Sequence, residues 1–369
     1  MKGRWAGSAS RVAAVAASRR KPLLIALCAL AVLLAAAGYN WAQNQLDVSF
    51  HAFQDSRGVT VLSPDANFSK DFSDRTTLKL KFGVDAISAA SDSCARCHPN
   101  GANNGRVVAN VGVTRKYGDS KLTVGGEVSR ENFYTATTGL VSLSRDLNKA
   151  NTTVAGGFAF SLNQPQLHPS DTVEHQTAVD AYGSVTQSWT KGTVTQVGYE
   201  INQVNGYQTN PFLRTKLNGV LTVGNSPDSR TRHAVSARLR QALPAETFFD
   251  ADYRWYHDTW DVNSHTFALG LSHHFGSRVV GGGAWRHYTQ TGAYFYQPSY
   301  TGNPTYCTGD FRLFPFDSNS VTGKVDITPK NGIVMMPPGS TLTLQYERYH
   351  ATTGFVAGIF TGGVRIPLK

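Results

Sequence analysis

The sequence predicts an all-β chain, a transmembrane up-and-down antiparallel β-barrel of about sixteen strands preceded by an N-terminal signal segment. Three observations predict it. After position 45, stretches of about ten residues alternate apolar and polar side chains, separated by turn residues, and this dyad continues to the C-terminus. Phe (19), Tyr (15), Trp (6) and Gly (35) are abundant while charged residues make up 16% of the chain, a strand-rich rather than helical composition. The mean hydropathy is slightly negative despite this aromatic content, so apolar residues are interleaved with polar ones. A wall with one face in lipid and one in water needs that interleaving.

The first element is the signal, assigned to residues 1–42, with the barrel over 43–369. Lys2, Arg4, Arg11, Arg19, Arg20 and Lys21 precede an apolar stretch from Leu23 to Gly38, the order of charge and apolarity in a secretory signal. Cleavage is expected after Gly38 or Ala42; the competing reading is an uncleaved anchor. Arg19-Arg20 is ordinary leading charge, because a twin-arginine route carries folded cargo. Cys28 follows Leu27 where a lipidation signal wants a small residue. Without the six leading cations the formal charge falls from +10 to about +4. No basic block remains, which excludes nucleic acid as a partner. Beyond Gly38 no apolar run is long enough for a membrane-crossing helix, so membrane residence requires a barrel.

The strands follow from the alternation. In Thr77–Asp85, Leu78, Leu80, Phe82 and Val84 face one side and Lys79, Lys81, Gly83 and Asp85 the other. The same split recurs with Val197, Tyr199 and Ile201 against Gly198, Glu200 and Asn202, and with Leu342, Leu344 and Tyr346 against Thr343, Gln345 and Glu347. Strands are expected at 46–55, 58–69, 76–88, 105–117, 120–133, 136–147, 151–163 and 174–190. The second half is expected at 193–208, 232–242, 246–260, 264–275, 278–298, 317–329, 340–350 and 354–367. A soluble sandwich would alternate too, with strands about half as long. Short turns at 72–74, 118–119, 148–150, 191–192, 244–245 and 276–277 alternate with mostly longer connections; the short set is expected in the periplasm, the long set outside. Tyr117, Trp189 and Phe275 beside short turns suit an interfacial girdle.

Several strings carry a family resemblance: Asp85–Ser91, Asn210-Pro-Phe212, Asp228-Ser-Arg230 with His233-Ala234, Asp252–Trp260, Ser264-His-Thr266, Trp285-Arg-His-Tyr288 and Phe316-Asp-Ser318. They resemble a bacterial outer-membrane family known as domain of unknown function 3570, over roughly Leu46 to Ile366. The resemblance implies a barrel in the bacterial outer membrane, with outer-membrane lipid as its surroundings, and no mechanism. The chain departs from the usual barrel ending, closing on Ile366-Pro367-Leu368-Lys369 without a terminal aromatic.

One chemical motif stands apart. The Cys-rich loop at 89–104 holds Cys94-Ala95-Arg96-Cys97-His98, which matches the C-x-x-C-H signature of c-type haem attachment. Cys94 and Cys97 would form the two thioethers and His98 would be the proximal ligand of the haem iron. Export fits, since haem is attached on the far side of the inner membrane. A single haem cannot bridge an apolar band of about 25 Å alone, so this reading requires a periplasmic or extracellular cytochrome as electron donor or acceptor. The sixth ligand is open among Met335, Met336, His51, His168 and His175, and a five-coordinate haem fits as well. Two other readings compete: a local Cys94–Cys97 disulfide, or a zinc or iron site of Cys94, Cys97, His98 and Cys307.

The remaining polar residues read as lumen lining. Asp250, Asp252, Arg254 and Asp258 share one face and form a bracing charge ladder rather than an acid–base site, while His257 points away or to the rim. Lys79, Lys81, Arg238, Arg240 and Arg286 bias an anion path or pair with neighbouring carboxylates. His273 and His274 fall on opposite faces. No Gly-x-Ser-x-Gly, phosphate loop or dinucleotide fingerprint is present, and no hydrolase or transferase activity is expected.

Overall fold

The computed structural model describes residues 44–87, 104–167, 172–332 and 337–368. Nine strands come first: β1 Asn44–Asp55, β2 Thr60–Ser73, β3 Thr76–Ile87, β4 Asn104–Tyr117, β5 Ser120–Glu131, β6 Tyr134–Leu147, β7 Thr152–Pro165, β8 Gln176–Ser188 and β9 Thr193–Gly206. A small hairpin follows, β10 Arg214–Leu217 and β11 Val220–Val223. The wall resumes with β12 Ser229–Leu243, β13 Thr247–Asp258, β14 Asn263–Phe275, β15 Val279–Gln290, β16 Phe316–Ile327, β17 Thr341–Ala351 and β18 Val356–Leu368.

Sixteen of these strands form one closed antiparallel barrel, each hydrogen-bonded to its neighbours in chain order, with β9 beside β12. β1 closes on β18 in continuous register from Asn44↔Leu368 to Asp55↔Ala357. Closure removes every unpaired sheet edge, which a lipid surroundings demands, since no water is there to satisfy a bare N–H or C=O. Among the described residues no helix is long and apolar enough to cross a membrane; the crossing elements are strands.

The alternation sets the two faces. Val111 and Val113 on β4, Phe158 and Phe160 on β7, and Leu269 and Leu271 on β14 project from the outer surface. Tyr117, Trp189 and Phe275, with Phe72 beside them, all stand exposed where strands meet short turns at one end of the wall. Their rings suit the boundary between acyl chains and water.

Two expectations are corrected at the opposite end. Residues 209–231, read as a loop, contain the β10–β11 hairpin, turned by Asn218 and Gly219 at φ 52° and 81°. Both central residues in the left-handed region define the tight turn that matches strand twist, but four-residue strands are too short to leave a periodic signal. The strand expected over 278–298 leaves the wall at Gln290. Past it, the Ala293 N–H donates to Leu313 O at 3.0 Å and the Tyr294 N–H to Trp260 O at 2.9 Å, so the aromatic run Tyr294–Tyr296 packs among connections instead of lipid. Trp260, Val262, Ala293, Phe295 and Leu313 form a buried apolar cluster there. Tyr300, also buried, ties this cap internally: its hydroxyl donates to Phe295 O at 2.9 Å and accepts from the Thr308 N–H at 3.0 Å.

Candidate functional site

Parity along the strands aims one set of side chains inward. On β12 and β13 it aligns Arg238 opposite Asp252 and Arg240 opposite Asp250, and both pairs form ion pairs, at 3.0 and 3.3 Å. Arg254 reaches Glu200 on β9 at 3.4 Å. The expected charge ladder is therefore present, each member paired with an opposite charge on another strand. His257 faces the other way, stacked on Trp255 with ring centroids 6.3 Å apart. His273 contacts Phe275 and His274 contacts Phe248, on opposite faces as expected.

Toward the cap the ladder changes character. Asp258 is fully buried and accepts from Arg230 Nε at 2.9 Å, from Arg230 Nη2 and from the Tyr256 hydroxyl. The backbone N–H groups of Trp260 and Val262 donate to its second oxygen at 2.8 and 3.2 Å, which closes the β13–β14 turn. Arg230 also lies 4.2 Å above the Trp260 ring. In strand register Asp258 faces Arg232, not Arg230. Because Arg230 takes the carboxylate diagonally, Arg232 is left to donate to Asn202 Oδ1 at 2.8 Å.

Above this network the lumen holds a cavity of about 570 Å³. Five guanidiniums line it: Arg230, Arg232, Arg254, Arg286 and Arg312. Tyr256, Tyr288, Tyr349 and Phe316 supply flat apolar surface between them. Arg312 arrives from the β15–β16 connection on a short 3₁₀ turn, Phe311–Leu313, capped by Asp310. Gln290 anchors that turn to the wall by donating to Arg312 O at 3.0 Å. The Asp310 carboxylate, bonded to Arg312 Nε at 2.8 Å, holds the Arg312 pKa above its ordinary value against the opposing effect of burial. Three carboxylates thus pair with Arg230, Arg254 and Arg312, whereas Arg232 and Arg286 form no ion pair among the described residues, Arg232 only sharing the field of Asp258.

The residues singled out for haem fall elsewhere. Cys94, Cys97 and His98 lie outside the described residues, as do His168, Met335 and Met336. Their connection runs from Ile87 to Asn104, which are register partners at the ends of β3 and β4. Cys307 is a free, buried thiol whose backbone exchanges hydrogen bonds with Asn225, at 2.9 and 2.8 Å. His51 is held in the lumen by Thr361 at 2.9 Å and Asp65 at 3.2 Å. Among the described residues no group of three or more His, Cys, Asp or Glu is placed to hold a metal ion. The cavity was not foreseen as a site. Its signal was the even parity shared by Arg230, Arg232, Arg254 and Arg286, which fixes their facing but not their pairing.

Among solved structures, a "bacterial polysaccharide outer membrane secretin" is similar at TM-score 0.52 and 10% identity, over 88% of this chain and 98% of that one. OccK1 (OpdK) from Pseudomonas aeruginosa matches at TM-score 0.49 and 6% identity, over 88% of this chain and 98% of that one. The siderophore receptor PirA from the same organism matches at TM-score 0.46 and 10% identity, over 85% of this chain and 56% of the receptor, so this chain spans about half of its length. At such identity the likeness to the first of these is one of fold alone, a closed antiparallel β-barrel. No curated protein matches the sequence. A family profile described as "Protein of unknown function (DUF3570)" matches residues 162–352, a narrower span than the resemblance suggested. It takes in every arginine of the cavity and begins after the Cys94–His98 string. With more than half of its length matched, the chain belongs to the DUF3570 family.

Proposed function

We propose that this protein is a solute channel of the bacterial outer membrane, with the arginine-lined cavity in its lumen at the long-connection end. The observation that carries the reading is a polar, charged cavity of about 570 Å³ enclosed by a sealed sixteen-strand wall with an apolar exterior. Water and small polar solutes enter such a lumen, while the wall keeps lipid out. Purified protein added to a planar lipid bilayer should produce stepwise increases in conductance. A fully folded preparation that never conducts would overturn the reading and leave a structural barrel.

A second element rests on the C-x-x-C-H string. We read Cys94 and Cys97 as thioether donors and His98 as proximal ligand of one c-type haem, carried on the connection between β3 and β4. Ile87 and Asn104 pair at its base, so this long connection starts and ends at one rim of the wall. Enclosure of Cys307 against Asn225 argues against a metal set that recruits it. The haem would supply a redox centre, and a separate cytochrome in the periplasm or outside would exchange electrons with it. Peroxidase staining of the purified barrel, with mass spectrometry of the peptide spanning Cys94–His98, tests this. A peptide carrying haem supports it; a mass two hydrogens below the free-thiol peptide assigns a disulfide instead.

A further inference from the structure

We infer that the arginine-lined cavity is a binding site, within the conduction path, for small organic anions that present a carboxylate on a flat apolar body. This deepens the channel reading and rests on it only for how the anion reaches the site.

The charge balance comes first. Of the five guanidiniums, Arg230 is spent on Asp258, Arg254 on Glu200 and Arg312 on Asp310. Arg286 and Arg232 form no ion pair among the described residues, and Arg232 only shares the field of Asp258 with Arg230, so five guanidiniums face three carboxylates and the cavity is left short of anions. Glu347, on the lumen-facing parity of β17, sits two residues from Tyr349 and is not part of the lining.

The donor geometry follows. Arg286 lies 5.8 Å over the ring of Tyr288, and Arg254 lies 5.6 Å over that of Tyr256. A guanidinium stacked on a ring keeps its in-plane N–H fork for another partner, and that fork matches the two oxygens of a carboxylate. Arg232 donates to Asn202 and bonds the Tyr256 hydroxyl, which fixes its position and leaves the rest of its five N–H donors.

The walls select the rest of the ligand. Tyr288, Tyr349 and Phe316 add flat surface on the side where Arg286 sits. A hydrated halide gains nothing from those rings, whereas an aromatic carboxylate places its ring against them and its oxygens on the forks. The volume falls in the range of about 300–1,000 Å³ typical of small-molecule sites.

Benzoate is the probe, with benzyl alcohol as its neutral counterpart. Titration calorimetry on the full-length protein folded in detergent should show saturable benzoate binding and none of benzyl alcohol. Arg286→Gln and Arg232→Gln should each weaken benzoate binding about tenfold or more, the scale of one lost charge-assisted hydrogen-bonding partner. Arg286→Lys keeps the charge without the fork and should recover only part of the loss. All variants are first required to show the heat-dependent gel shift of a folded barrel. Absence of benzoate binding to the wild type, or binding unchanged in both Gln variants, overturns the inference. The same protein in a bilayer separates it from the channel reading: binding without conductance removes the channel and keeps the site, and conductance without binding does the reverse.

Discussion

Arg230 grips the buried Asp258 through Nε at 2.9 Å and through Nη2, although strand register places Arg232 opposite that carboxylate. The pair is almost fully enclosed, with side-chain exposures of 12% for Arg230 and 0% for Asp258. Removing the carboxylate leaves the largely buried Arg230 guanidinium unpaired and takes away the acceptor of the Trp260 and Val262 N–H groups. We expect Asp258→Ala to destabilise the barrel by about 3–5 kcal/mol, the range for a broken buried pair. Asp258→Asn keeps the shape and should cost less. A urea midpoint reports the loss, and faster proteolysis within 291–315 locates it in the cap.

The ladder lower in the lumen should behave differently. Arg238 and Asp252 are 66% and 46% exposed, so water screens their 3.0 Å contact. A double-mutant cycle with Arg238→Gln and Asp252→Asn should give a coupling below about 1 kcal/mol. A coupling as large as that expected for Arg230 and Asp258 would mean that the lumen is dry.

Facing can be tested residue by residue on β4. Val111 projects outward near the middle of its strand, while its neighbour Asn110 faces Glu127 across the lumen side. Val111→Arg should destabilise folding into lipid vesicles by about 2–4 kcal/mol, whereas Asn110→Arg should change little. Equal effects would contradict the assignment of faces.

The exposed indole of Trp189 belongs to the girdle at the short-turn end. In a Trp189-only variant, fluorescence should be quenched most by lipids brominated near the headgroup and least by lipids brominated at the acyl terminus. The opposite order would place that end of the wall inside the bilayer.

The wall was legible because each strand repeats the same period-two signal and each short turn punctuates it. Leu78, Leu80 and Phe82 against Lys79 and Lys81 already state which face meets lipid. The cap was not legible for a related reason. Tyr294-Phe295-Tyr296 continues the pattern of β15, and nothing local distinguishes an aromatic run that packs on Trp260 from one that packs on lipid. The cavity was half legible. Parity aims Arg230, Arg232 and Arg286 inward, but which of them keeps a free charge depends on a diagonal choice between two arginines two residues apart, and on a connection that delivers Asp310 and Arg312. Those are three-dimensional facts with no signature in spacing.

A lumen that conducts past this surplus of guanidiniums should favour anions. The most direct test is the reversal potential of single channels of the full-length protein in a planar bilayer under a potassium chloride gradient. We predict stepwise openings whose reversal potential lies toward the chloride equilibrium value, moving toward the potassium value in Arg286→Gln. Openings that reverse at the potassium value in the wild type, or a folded protein with no openings, would contradict it.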